Sequence, residues 1–403
     1  MDGVERFDLC SIHPANRGFS GAVSDGRFIY LVPLNNGESH GRVARHDTQI
    51  AFDDPAAWEA FDSTQVNPGS RGFVDGVFDG RYLYLVPFFN DKHHGQVTRY
   101  DTRMPFAEAS SWSVFDTTLV SANSRGFVSG CFDGRYFYLA PYQLDQSTQH
   151  GQITRYDTSR DFNELDAWKV FNLAAVHPDS RGFHSAVCAG EHVYFVPYHL
   201  GDKHYSGLMM RHDRRLEFDC EAAWECFDLT SIHEGCRGYV GGVCHDGMLY
   251  LSPYIDGKDR HGRVIRFNTR AQLTEANAWS VFDCAGVNSG SRGFFGAICD
   301  GRHLFLVPHC RGVGAYHGQL TRHELAMDFN DAASWSFCDL ARVEPACRGF
   351  MGGAVHAGKL YLAPYEIDAG RHSGLAVRID LDREDIWTVP GTVNPFFPGA
   401  DRA

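Results

Sequence analysis

Seven tryptophans punctuate this 403-residue chain, at Trp58, Trp112, Trp168, Trp224, Trp279, Trp335 and Trp387. Their spacing is near 55 residues throughout, and the motif Arg-Gly-(Phe/Tyr) recurs with them at Arg17, Arg71, Arg125, Arg181, Arg237, Arg292 and Arg348. A fixed period of this length means one supersecondary unit written seven times, and such units bury their apolar faces only by packing on one another. The repeat therefore overrides the two or three domains that length alone suggests. It predicts one domain over residues 1–390, with Pro390, Pro395 and Pro398 marking 391–403 as an irregular tail.

The second copy shows what the unit is. Arg71-Gly-Phe-Val-Asp-Gly-Val-Phe meets Asp79-Gly80, and Tyr82-Leu-Tyr-Leu-Val-Pro87 follows. Asp-Gly between two runs of β-formers is a tight-hairpin signal. His94-Gly-Gln-Val-Thr-Arg-Tyr-Asp101 reads as a third strand and Trp112-Ser-Val-Phe-Asp116 as a fourth. A four-stranded antiparallel meander repeated seven times predicts an all-β, seven-bladed β-propeller. The seventh copy has Trp387 but no Phe-Asp after it, whereas Phe7-Asp8 precedes Arg17 as Phe61-Asp62 precedes Arg71. The N-terminal segment is thus expected to complete the last blade and lock the ring.

The unit resembles a kelch repeat. The small pair in strand A (Gly241-Gly242, Gly352-Gly353), the Tyr-Asp of strand C (Tyr100-Asp101, Tyr156-Asp157) and the strand-D tryptophan carry the resemblance, while Pro-Tyr, as at Pro141-Tyr142, replaces the usual glycines after strand B. Kelch-like propellers include protein-binding scaffolds and enzymes, so the resemblance implies the fold without fixing a chemistry.

The net charge of −13 argues against nucleic acid as the main partner. No apolar run of 18 residues exists, so no membrane span is expected. The opening residues lack a secretory pattern. Twelve cysteines occur without a CxxC motif or a repeated set, which points to reduced thiols in a cytoplasmic protein.

Antiparallel register places each motif arginine beside the residue after the strand-B proline: Leu34, Phe88, Tyr142, Tyr198, Tyr254, His309 or Tyr365. The next strand opens near His40, His94, His150, His204, His261, His317 or His372. These histidines are expected to be structural, holding each blade's upper loop. The arginines are expected innermost, at the channel mouth, where guanidinium groups suit a carboxylate or phosphate. With Tyr142, Tyr198, Tyr254 and Tyr365 they form the expected ligand-binding set.

A single site needs features that do not repeat. Four residues before each motif arginine stand His13, Asn67, Ser121, His177, His233, Asn288 and Glu344; three residues after it, only His184 is ionisable. His177, His184 and His233 are the expected catalytic residues. With Glu344 they are a candidate site for Zn, Fe or Cu. Asp75 is also unique to its blade. No nucleophile elbow, phosphate loop, HExxH or calcium loop is present. The leading expectation is an enzyme (a metal-dependent lyase, cyclase or oxidase) or a binder of a small anionic or polar molecule at the channel mouth. The alternatives are a multivalent lectin-like propeller and a protein-interaction scaffold.

Overall fold

A computed structural model describes residues 3–390; the expected tail, 391–403, lies outside the described residues. Within them the chain forms seven four-stranded antiparallel sheets. In blade 2 the strands are A (Phe73–Phe78), B (Tyr82–Pro87), C (Gln96–Asp101) and D (Trp112–Asp116). The Asp79 carboxylate fixes the A–B turn by accepting from the Arg81 and Tyr82 N–H groups, at 2.8 and 2.6 Å, with Gly80 at φ +97°. Each strand A packs against the strand A of the next blade, and that of blade 7 (Phe350–His356) packs against that of blade 1 (Phe19–Ser24), so the seven surround an axis.

Blade 7 takes its fourth strand from the start of the chain. Val4–Asp8 pairs antiparallel with Leu375–Asp380, placing Val4 opposite Ile379 and Asp8 opposite Leu375.

The tryptophans are wedges between blades. In the first six blades the indole N–H donates to the carbonyl six residues earlier, at 2.8–3.1 Å. The ring stacks on a strand-D phenylalanine of the preceding blade: Phe61 on Trp112 (4.8 Å, 14°) and Phe115 on Trp168 (4.6 Å, 3°). Phe7 stacks on Trp58 in the same way, at 5.3 Å and 9°. The arginines in the middle of strand C lie beside these wedges. Arg45 is 4.0 Å above Phe28, and Arg378 pairs with Glu5 at 2.7 Å. Where Cys338 stands in place of the stacking phenylalanine, Arg322 covers Trp387 at 4.2 Å.

The glycine of each Arg-Gly-(Phe/Tyr) motif has a geometric cause. Gly126 sits at φ +67°, and a Cβ there would lie 1.7 Å from the Gln143 carbonyl oxygen. The chain doubles back so closely that only glycine fits. The following Phe or Tyr then drops into the core, as fully buried Phe73 and Phe127 show.

Candidate functional site

Each strand A carries a β-bulge just after its motif, seen as a register shift between Phe73 and Asp75 in blade 2 and at equivalent places in the others. A regular strand sends alternate side chains to opposite faces, whereas a bulge re-aims them. Two consecutive residues per blade consequently line the channel: Val74 with Asp75, Val128 with Ser129, His184 with Ser185.

The channel is plugged on the motif face. Phe88, Tyr142, Tyr198, Tyr254, His309 and Tyr365 form an arc of rings with centroids 5.8–6.3 Å apart from blade 2 round to blade 7. Leu34 belongs to the same packed layer, with Val74, Val128 and Met351. Beneath them Phe295 of blade 6 reaches His184 of blade 4, two blades away, at 4.9 Å. Below this layer the walls become more accessible: Val74 and Val128 are buried, while Asp75, Gly130, Cys131 and Ile298 are half-buried. The channel therefore opens toward the A–B hairpin turns.

This arrangement corrects the expectation for the seven arginines. The aromatic residues are innermost, and the arginines splay over the blade tops. Arg71 pairs with Asp91, Arg292 with Asp259 (3.3 Å) and Arg348 with Asp368 (3.2 Å), all carboxylates of B–C loops. Arg181 donates to the Pro178 carbonyl (3.0 Å), Arg237 to that of Glu234 (3.2 Å), and Arg17 is exposed. Seven converging cations would repel one another, and outlying carboxylates draw them apart. The strand-D aspartates are not their partners. Asp62, Asp116, Asp228, Asp283 and Asp339 cap short helical turns, each accepting from the N–H two residues on at 2.9–3.2 Å.

Histidine at the start of strand C ties the upper loop of its blade. Nδ1 accepts the N–H two residues ahead in His94 (3.3 Å), His150 (3.4 Å), His261 (3.3 Å) and His317 (3.2 Å). Nε2 faces a motif carbonyl in His261 (Arg237, 3.0 Å), His40 (Gly18, 3.3 Å) and His317 (Gly293, 3.4 Å). In blades 5 and 6 this fixes the Nε2–H tautomer. Burial pushes His40 and His94 down to about 4 and His150, His261 and His317 to about 3.

His204 and His372 do not belong to this row. The equivalent residues in blades 4 and 7 are Ser206 and Ser373, whose hydroxyls accept the N–H two residues ahead at 3.0 and 3.1 Å. His204 and His372 lie on small extra hairpins, His199–Gly201 with His204–Tyr205 and Glu366–Asp368 with Arg371–His372.

The structure does not bring His177, His184, His233 and Glu344 together. Half-buried His177 and exposed His233 cap their own turns, Nδ1 accepting from the Asp179 and Gly235 N–H groups at 3.1 and 3.0 Å. His13 does the same at 3.1 Å, and Asn67 and Asn288 use their side-chain oxygens identically at 2.8 and 2.9 Å. Glu344 is half-buried and faces Arg6 at 3.5 Å. His184 is enclosed in the channel, and burial lowers it to about 4. Among the described residues no three His, Cys, Asp or Glu side chains gather as a metal site.

Two clefts recur at equivalent places between blades. One of about 300 Å³ between blades 2 and 3 is lined by Lys92, His93, Gln96, Asp116 and Arg125. One of about 210 Å³ between blades 3 and 4 is lined by Gln149, His150, Gln152, Asn172 and Arg181. The glutamines of the His-Gly-Gln sequence were not singled out by the sequence reading. A polar residue that repeats in only some blades was the available signal.

No protein-family model and no curated protein matches the chain. Among solved structures it is similar to PorZ of Porphyromonas gingivalis, an essential bacterial surface component of the type-IX secretion system. The TM-score is 0.52 with 10% identity, covering 95% of this chain and 39% of that one. The chain thus spans well under half of that protein, and the likeness shows the propeller fold alone. Among the described residues no helix is long and apolar enough to cross a membrane.

Proposed function

We propose that this propeller binds a small carboxylate- or phosphate-bearing molecule in clefts between blades on its Arg-Gly-Phe face. Arg125 carries the proposal. It lines the larger cleft, makes no ion pair among the described residues, and has a buried Nε without a hydrogen-bond partner. A guanidinium spared a carboxylate, with Lys92 beside it, is suited to an anion. Gln96 and Thr118 supply further polar contacts.

The second cleft, at Arg181, whose guanidinium lies 3.5 Å from Asp179 and is therefore the weaker of the two, makes the site bivalent rather than sevenfold. In blades 1 and 5 an arginine replaces the glutamine, and these are committed to Asp62 (3.8 Å) and Asp256 (2.5 Å). Blades 4 and 7 have Leu208 and Leu375 there, and blade 6 keeps Gln319 but the adjacent Arg348 is committed to Asp368 (3.2 Å). This adapts the multivalent reading to two unequal sites. A catalytic or metal-binding role for His177, His184 and His233 has no assembled site behind it and is not part of the proposal. The small glycine pairs support a kelch-like repeat, and the packing of strand A of blade 7 on that of blade 1 supports one domain over 1–390. Twelve cysteines without a disulfide support a reducing, cytoplasmic setting, with Cys131 and Cys188 bringing their sulfurs to 2.7 Å.

Titration with inorganic phosphate, followed by calorimetry, tests the reading. Two sites are expected. Arg125→Ala removes one, and Arg125→Lys keeps it with weaker binding because the planar fork is lost. Unchanged phosphate binding in Arg125→Ala refutes the proposal.

A further inference from the structure

The central channel holds a charge that its scaffold does not require. At the place of Asp75 in strand A the other blades carry Gly21, Ser129, Ser185, Gly241, Gly296 and Gly352. Every blade closes the same bulge, so neither the bulge nor the ring needs a carboxylate.

The surroundings of Asp75 are one-sided. Its carboxylate accepts from the Gly76 N–H at 2.8 Å and from the Ser129 hydroxyl at 2.7 Å, and Ser129 Oγ lies 3.4 Å from Ser185 Oγ. Asp75 forms no ion pair among the described residues, and His184 is the other titratable side chain lining the cavity. Burial pushes the Asp75 carboxyl up to about 6 and His184 down to about 4. Above pH 6 the carboxylate is thus ionised and the imidazole neutral. A half-buried charge without a counter-charge keeps part of its desolvation penalty, and a bound cation offsets it.

We propose that the channel is a binding site for a small primary ammonium compound, its N–H groups on Asp75, Ser129 and Ser185. Three N–H donors meet three oxygen-bearing side chains, each with acceptor capacity left. A bare divalent ion is less well served, since calcium takes six to eight oxygens and magnesium a near-octahedral set. The cavity, about 150 Å³, exceeds the roughly 30 Å³ share of one water several-fold, so it has room for a short hydrocarbon stem. The wall facing the polar arc is stripped of side chains. Gly241, Gly296 and Gly352 adopt φ of +88°, +105° and +81°, and a Cβ on Gly241 would come within 2.6 Å of the Gly296 Cα. The roof is aromatic, with Phe295 against the uncharged His184, and ring faces attract ammonium groups. Entry is from the A–B turn end, opposite the clefts at Arg125 and Arg181, so this site is independent of the anion proposal.

Calorimetry and thermal unfolding with ethylammonium chloride at pH 8, against sodium chloride at equal ionic strength, test the inference. The parent should bind one equivalent saturably with a rise in Tm. Binding should weaken at least tenfold in Asp75→Ser and fall likewise in the parent at pH 5, where Asp75 is protonated. Asp75→Ser copies the residue of blades 3 and 4, so the ring should be retained, as checked by tryptophan fluorescence, and phosphate binding at Arg125 should be untouched. Ser129→Ala gives a second variant with the carboxylate intact and should also bind more weakly. No saturable effect in the parent, an equal effect of sodium, or undiminished binding in Asp75→Ser would overturn it.

Discussion

Replacing His150 by serine tests the loop-tying role of the histidine row with a residue the protein already uses in blades 4 and 7. Ser206 and Ser373 accept the equivalent N–H at 3.0 and 3.1 Å, so a serine at 150 should keep the contact to Gln152. At pH 7.5 the variant should lose about 2 kcal/mol, chiefly from the cavity left beside Phe127, whose ring lies 6.0 Å from the imidazole. Acid changes the comparison. His150 is held at about 3 in the fold, against about 6.5 when unfolded. Between those values the unfolded chain binds the extra proton, so this histidine's stabilisation is complete above pH 6.5 and declines as the pH falls toward 3. At pH 5.0 that loss is about 2 kcal/mol, from about 1.4 kcal/mol per pH unit over about 1.5 units. The variant has no such group to lose. Urea midpoints followed by tryptophan fluorescence should therefore differ clearly at pH 7.5 and converge near pH 5.0. Parallel pH dependence of the two proteins would show that His150 is not buried and neutral, and the argument for the row would fail.

Two further substitutions probe the frame. Phe7→Ala removes a buried ring stacked on Trp58 and should cost about 3–4 kcal/mol, read as a lower urea midpoint and faster proteolysis near the N-terminus; an unchanged midpoint would show the N-terminal strand to be dispensable. Gly126→Ala places a Cβ 1.7 Å from the Gln143 carbonyl oxygen and should abolish stable folding. Gly134→Ala, at φ +99° with nothing within 4 Å, should cost only about 1–2 kcal/mol of backbone strain in a thermal melt. Similar losses in the two glycine variants would contradict the close approach described at Gly126.

The blade count was legible because every blade imposes the same packing demand. A wedge such as Trp112 needs a stacking partner such as Phe61, and a turn such as Gly126 tolerates no side chain. Roles that different residue types can fill were harder to read. Matching histidine to histidine selected His204 and His372, whereas the acceptor oxygens of Ser206 and Ser373 do the work. The same interchangeability made His177 and His233 stand out, although each fills the turn role that Asn67 fills. Strand register gave no direction for the long side chains of the motif arginines. Their carboxylate partners lie in B–C loops of unequal length. Asp75 was visible as an odd residue, but its contact with Ser129 depends on a bulge that sequence does not display.

The strand Val4–Asp8 has two attachments with very different histories. Phe7 meets Trp58 of blade 1, which emerges early in synthesis, whereas the backbone partners of the strand lie in Leu375–Ile379, made last. Joining points 375 positions apart carries a chain-closure entropy of about 5 kcal/mol, which local hairpins do not face. During translation the first strand therefore waits with an unpaired backbone edge, and the toroid acquires its final stiffness only when the seventh sheet arrives to clasp it.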